Sequence, residues 1–109
     1  MKFIVCNAFS INMLERGGQD IAFVPVNVQA VRNLLGHETW ESAVGHADTA
    51  AVFSAEIGVQ IPVSRTSVAL RRYETSLIVG QYRGPRLPEG ATALPEGATI
   101  EWWQVYHPS

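Results

Sequence analysis

Three short segments carry residue types that can act on a phosphate. Gly45-His46 stands directly before a stretch patterned as a helix. A histidine there can donate to a phosphate or serve as a general acid, because an imidazole with an ordinary pKa near ~6.5 holds a transferable proton around neutrality. Arg83-Gly84-Pro85-Arg86-Leu87-Pro88-Glu89-Gly90 is a rigid, turn-rich stretch that sets Arg86 and Glu89 three positions apart. A guanidinium so placed can grip a phosphate with two parallel donors, and the carboxylate can hold the guanidinium in place. Asn7-Ala8-Phe9-Ser10-Ile11-Asn12 lies where a strand gives way to a helical turn. Backbone N–H groups and a positive dipole end are exposed at such a junction, and Asn7, Ser10 and Asn12 add side-chain donors for phosphate or ribose.

Each segment also has a plainer reading. Ser10 and its neighbours can be helix caps, the histidine can be structural (His37 also follows a glycine), and Arg86 with Glu89 can form a surface salt bridge. Other chemistries find no support. There is no phosphate-binding Gly-rich loop with lysine, no Cys-x-x-Cys, no His-Glu-x-x-His and no nucleophile elbow. One cysteine and three scattered histidines make a structural zinc site implausible, so no metal and no cofactor are expected.

The elements that must position these residues follow from periodicity. Phe3–Cys6 reads as a buried strand, and Ser10 as the N-cap of a short helix through Leu14, closed by Gly17-Gly18. Ile21–Val26 reads as a second strand. Asn27 caps a helix over Val28–Leu35, with Val31, Leu34 and Leu35 on one face and Gly36 as its stop. His37–Val44 has no clear pattern. A helix follows, with Ala50, Phe53 and Ile57 on its apolar face and Gly58 as its end. Ser67–Arg71 and Ser76–Tyr82 read as a hairpin turning at Tyr73-Glu74-Thr75, and Ile100–Tyr106 as the last strand. A tandem repeat, Leu87-Pro88-Glu89-Gly90-Ala91-Thr92 and Leu94-Pro95-Glu96-Gly97-Ala98-Thr99, predicts two glycine turns before that strand. The order β-α-β-α-α-β-β-β predicts an α/β (α+β) single domain over residues 1–109, a mixed sheet of about five strands flanked by helices.

At 109 residues, with 47% hydrophobic and 17% charged residues, the composition is that of an ordinary globular domain. No apolar run reaches the ~20 residues of a membrane span, and MKFIVCNAF has no leader-like apolar stretch. The single Cys6 forms no internal disulfide, and a reducing cytoplasmic location is expected. Net charge is −2 and the pI about 5.8, which disfavours duplex DNA as a partner. Five of the eight basic residues are Arg65, Arg71, Arg72, Arg83 and Arg86, opposed in that stretch by Glu74 alone. That imbalance suits a small anionic ligand. A domain of this size buries only ~60–70% of its unfolded surface, so the three Trp and four Phe are expected in the core. The Trp102-Trp103 pair points to a homodimer interface.

The segments together resemble the viral ring nucleases that act as anti-CRISPR proteins against type III systems. Relatives of that family occur in archaeal viruses, phages and bacteria. Asn7-Ala8-Phe9-Ser10-Ile11-Asn12-Met13-Leu14 looks like its N-terminal signature, and Ala43-Val44-Gly45-His46, followed by Thr49 and a helix ending at Gly58, resembles its histidine motif. Arg65 falls where similar members carry a basic residue, and Gln81 to Gly90 resembles the third motif. The motifs run in the same order along nearly the whole chain.

The resemblance implies a five-stranded mixed sheet with helices, a two-fold homodimer, and cyclic tetra-adenylate held in the groove between subunits. It implies metal-independent cleavage in which a ribose 2′-hydroxyl attacks the adjacent phosphate and leaves a 2′,3′-cyclic phosphate end. It places the catalytic roles on His46, Arg86 and Glu89, and substrate contacts on Asn7, Ser10, Asn12, Gly45, Thr49 and Arg65. It implies action in the cytoplasm, the host's if the chain is viral, with no membrane involved. Two departures stand out. The repeat replaces a longer, helical-looking segment of the archaeal viral members, and Asp48 stands where a hydroxyl residue is expected. An acid is unfavourable beside phosphate, so Asp48 is expected to cap its own helix. A binding protein of the same fold, holding a cyclic nucleotide or a nucleic acid without cutting it, is the alternative.

Overall fold

The computed structural model describes residues 1–15 and 20–108, so the Gly17-Gly18 stop lies outside the described residues. Five strands and two helices follow one another: β1 (Lys2–Cys6), β2 (Ala22–Val26), α1 (Val28–His37), β3 (Trp40–Ser42), α2 (Ala47–Ile57), β4 (Thr75–Arg83) and β5 (Thr99–Tyr106). They form one mixed sheet in the order β2-β5-β4-β1-β3. β1 runs parallel to both β3 and β4, while β5 runs antiparallel to β4 and β2. The fold is thus the expected single α+β domain. Among the described residues no helix is long and apolar enough to cross a membrane.

Burial on both faces explains the apolar runs. Val5, Ile78 and Trp102 lie beneath the helices with Val31, Leu35, Phe53 and Ile57. Ile4, Cys6, Leu77, Val79 and Val105 form the core of the opposite face with Leu70, and Phe9, Met13 and Leu14 pack against it. Strands covered on both sides read as continuous hydrophobic stretches, which is why β1 is legible from sequence, whereas β4 is read from its alternation. Pro25 is tolerated because β2 is an edge strand, paired with β5 alone.

Several expectations are corrected. The helix begun at Asn27, whose side chain accepts from the Ala30 amide, passes through Gly36 and ends at His37. A Cβ at Gly36 would meet nothing within 4 Å, so the glycine neither crowds nor stops the helix. Ser67–Arg71 is not a strand: it contributes a single bridge, Leu70 to Leu14, and packs its apolar residues without a ladder. The missing strand is β3, which pairs Phe3, Ile4 and Val5 with Trp40, Glu41 and Ser42. Nor do the aromatics fill the core evenly. Phe53 and Trp102 are buried, but Phe23 is 52% exposed and Trp103 only half-buried. Trp102 is taken up by its own chain, edge-on to Phe53 at 4.8 Å between ring centroids.

Both repeat turns form as expected. Ala91 donates to the Pro88 carbonyl and Ala98 to the Pro95 carbonyl, with Gly90 and Gly97 at φ of 81° and 80°. Glycine is the residue that adopts that conformation without strain.

Candidate functional site

Parallel pairing puts the carboxyl ends of β1, β3 and β4 at one edge of the sheet. In open α/β sheets that edge is where ligands bind. β4 outruns β1 there. The last β1 pair joins Cys6 to Val79, whereas β4 continues to Arg83 against β5 alone. The overhang carries Tyr82 and delivers the loop from Gly84 onward beside the start of α2.

α2 begins abruptly. His46 is its N-cap, in extended conformation, and makes no side-chain cap hydrogen bond. Its carbonyl accepts from Ala50, so the helix starts in register while the first-turn amides lack a side-chain partner from the cap. At its other end Gly58 adopts the left-handed conformation and donates to Ser54. The uncapped N-terminus opens on a cleft of about 550 Å³ lined by His46, Asp48, Thr49, Tyr82, Gly84, Arg86 and Leu87. A positive helix end, a guanidinium and an imidazole therefore face one space, an arrangement suited to an anion.

His46 is distinct among the three histidines. His37 uses Nδ1 on the Asn33 carbonyl at 2.7 Å, and His107 is buried with Nε2 3.3 Å from the Leu70 carbonyl. His46 is exposed, and its ring makes no hydrogen bond among the described residues. Cys6 is no candidate nucleophile, because desolvation by burial pushes its thiol up to about 11 despite a backbone hydrogen bond at Ala8. Among the described residues no group of three His, Cys, Asp or Glu side chains is placed to hold a metal ion.

The sequence-derived site residues fall into three sets. His46, Thr49 and Arg86 share the cleft, and Glu89 belongs to the turn tied to it through Gly90. Gly45 and Arg65 are neighbours just behind His46. Arg65 Nε donates to the Gly45 carbonyl at 3.1 Å, and a Cβ on Gly45 would crowd the Arg65 stem at 3.1 Å. Asn7, Ser10 and Asn12 do not line the cleft. Ser10 caps only a three-residue 3-10 turn, Ile11–Met13, accepting from the Asn12 amide at 3.2 Å. That stretch lies over the opposite sheet face, where Phe9 and Met13 pack.

Two expected contacts are replaced by others. Arg86 and Glu89 form no ion pair. Among the described residues the ion pairs are Lys2–Glu41 at 2.8 Å and Arg83–Glu101 at 2.6 Å, so a strand neighbour neutralises one arginine of the basic stretch. Asp48 does not cap α2. Its Oδ1 accepts the Gly90 amide at 3.0 Å. Sequence reasoning also passed over Tyr82, whose hydroxyl donates to the Pro85 carbonyl and steadies the loop. The alternation rule could have found it, since Tyr82 falls two residues after Gly80, on the face turned toward α2.

A family model described as STIV B116-like matches residues 3–100. Among solved structures, B116 of Sulfolobus turreted icosahedral virus is similar, with a TM-score of 0.81 and 24% sequence identity. The match covers 98% of this chain and 100% of that one. No curated protein sequence matches.

Proposed function

The chain belongs to the STIV B116-like family, and we propose that it is a ring nuclease that opens cyclic tetra-adenylate without a metal ion. The observation that carries this reading is the exposed, unbonded His46 at the uncapped start of α2, in one cleft with Arg86 and Thr49.

The chemistry is a transesterification. The ribose 2′-oxygen forms a bond to the adjacent phosphorus while the bond from phosphorus to the 5′-oxygen breaks. The products are a linear oligonucleotide with a 2′,3′-cyclic phosphate and a free 5′-hydroxyl. The departing 5′-oxygen takes the proton of His46, acting as general acid. Arg86 and the α2 amides bear the charge that builds on the phosphoryl oxygens. Because Glu89 leaves Arg86 unpaired, it is assigned the 2′-hydroxyl proton rather than the orientation of the guanidinium. Arg65, beside Gly45, supplies a further cation for a neighbouring phosphate.

A ring with repeated symmetry is matched by a two-fold dimer that presents these groups twice. The sheet face opposite the helices suits that role, because Phe9, Phe23, Val79, Trp103 and Val105 line an open hollow there. Asn7, Ser10 and Asn12 lie on this side, away from the α2 cleft, and are assigned no substrate contact within one copy.

The test is incubation of the purified chain with cyclic tetra-adenylate in excess EDTA, with products resolved by chromatography. Linear products with 2′,3′-cyclic phosphate ends are expected. Cleavage that vanishes in EDTA and returns with added metal overturns the mechanism, and tight binding without cleavage makes the chain a sequestering protein instead.

A further inference from the structure

The carboxylate of Asp48 stands in a cleft otherwise suited to anions, where its charge opposes a phosphate. Its position in the first turn of α2 is favourable to the helix dipole, but a cap would satisfy that as well. Its hydrogen bond is instead long-range. Oδ1 reaches Gly90, 42 residues further along the chain, at 3.0 Å. We infer that Asp48 is a positioning residue, a latch that fixes the Pro88–Ala91 turn, and with it Arg86 and Glu89, to the helix end that presents His46.

The geometry of the turn explains why Gly90 is the point of attachment. The Ala91 amide closes the turn on the Pro88 carbonyl at 3.1 Å, and Pro88 has no N–H to offer. The Gly90 amide is not used by the turn and points away from it. Among the described residues, its bond to Asp48 is the one hydrogen bond joining residues 86–91 to the rest of the molecule. The loop is otherwise held at its entry, by the Tyr82 hydroxyl on the Pro85 carbonyl. Without the latch, no hydrogen bond among the described residues joins the segment carrying Arg86 and Glu89 to the body of the domain.

The second copy of the repeat is an internal control. Ala98 closes an equivalent turn on Pro95 at 3.0 Å, with Gly97 in the same left-handed conformation. Among the described residues no side chain accepts from the Gly97 amide. Two nearly identical turns thus differ in the one contact at issue.

The experiment is amide hydrogen exchange of the free protein, read by NMR at Gly90 and Gly97, in wild type, Asp48→Ala and Asp48→Asn. A hydrogen bond to a charged acceptor is expected to protect Gly90 about tenfold or more over Gly97. Asp48→Ala brings the two amides together, while Asp48→Asn, which keeps an oxygen acceptor, retains part of the difference. The catalytic half of the inference rests on the proposed function. There, turnover of cyclic tetra-adenylate falls about tenfold in Asp48→Ala, recovers in Asp48→Asn, and does so without loss of the cooperative melt.

Equal exchange at Gly90 and Gly97 in wild type overturns the latch, as does protection of Gly90 that survives Asp48→Ala. Lost protection with unchanged turnover overturns the positioning role. If wild type does not cut the ring at all, the proposed function fails, and the exchange comparison alone decides whether the latch exists.

Discussion

Gly80 of β4 lies directly beneath the ring of Phe53 of α2, so closely that a Cβ on the glycine would stand 2.6 Å from the ring tip. The neighbouring Trp102 ring would be 2.7 Å away. The absence of a side chain lets α2 settle against the sheet, with Phe53 and Trp102 in edge contact above the gap. The start of α2 is thereby set beside the end of β4, and His46 meets the loop that carries Arg86.

Gly80→Ala tests this seating. Alanine is the better strand former in isolation, but Phe53 and Trp102 are buried and have little freedom to withdraw. Overpacking of this kind typically costs ~1–3 kcal/mol, which lowers the melting temperature of a domain this size by roughly 5–20 °C. Thermal denaturation followed by circular dichroism reads the shift. An unchanged or higher melting temperature means that the helix is not held by this approach.

Arg86→Ala is expected to weaken both turnover and ring affinity, because a cation facing the phosphate acts in ground and transition states alike. Arg86→Lys recovers only part, since an ammonium lacks the two-pronged contact. Single-turnover rates and equilibrium binding, measured on the same variants, separate the two effects. Full activity in Arg86→Ala would remove the loop from the active site.

How much of this was legible in the sequence depended on the range of the interactions. Asn27 and Gly58 announced helix ends because capping is local, and the double-faced burial of Phe3–Cys6 left a continuous apolar run. β3 was illegible because Trp40-Glu41-Ser42 is short and mixed in polarity, and only its pairing with β1 makes it a strand. The alternation around Val68 and Leu70 was real but came from packing on the sheet face, not from a ladder. Gly36 misled because an exposed glycine inside a helix costs only about 1 kcal/mol, which the burial of Val31 and Leu35 offsets. His46 and Arg86 could be nominated separately, yet their meeting depends on β4 outrunning β1. The Asp48–Gly90 contact has no local signature at all.

Self-association is expected through the sheet face that bears Phe23. That side chain is 52% exposed, sits edge-on to Phe9 at 5.4 Å and borders the hollow that includes Trp103. Light scattering is expected to give a mass of twice 12.0 kDa at micromolar concentration, and Phe23→Asp to shift the chain toward a monomer with lower ring affinity. A wild-type monomer that retains full activity would show that one copy suffices for the site.

The single-turnover rate of His46→Ala against wild type, with ring binding measured on the same samples, decides whether His46 is the general acid. Loss of a general acid costs about 10²–10⁴-fold in rate, while binding, which rests on amides and arginines, stays nearly unchanged. If His46→Ala keeps more than about a tenth of the wild-type rate, above what loss of an acid allows, His46 is not the acid and the cleft at the start of α2 is not the active site.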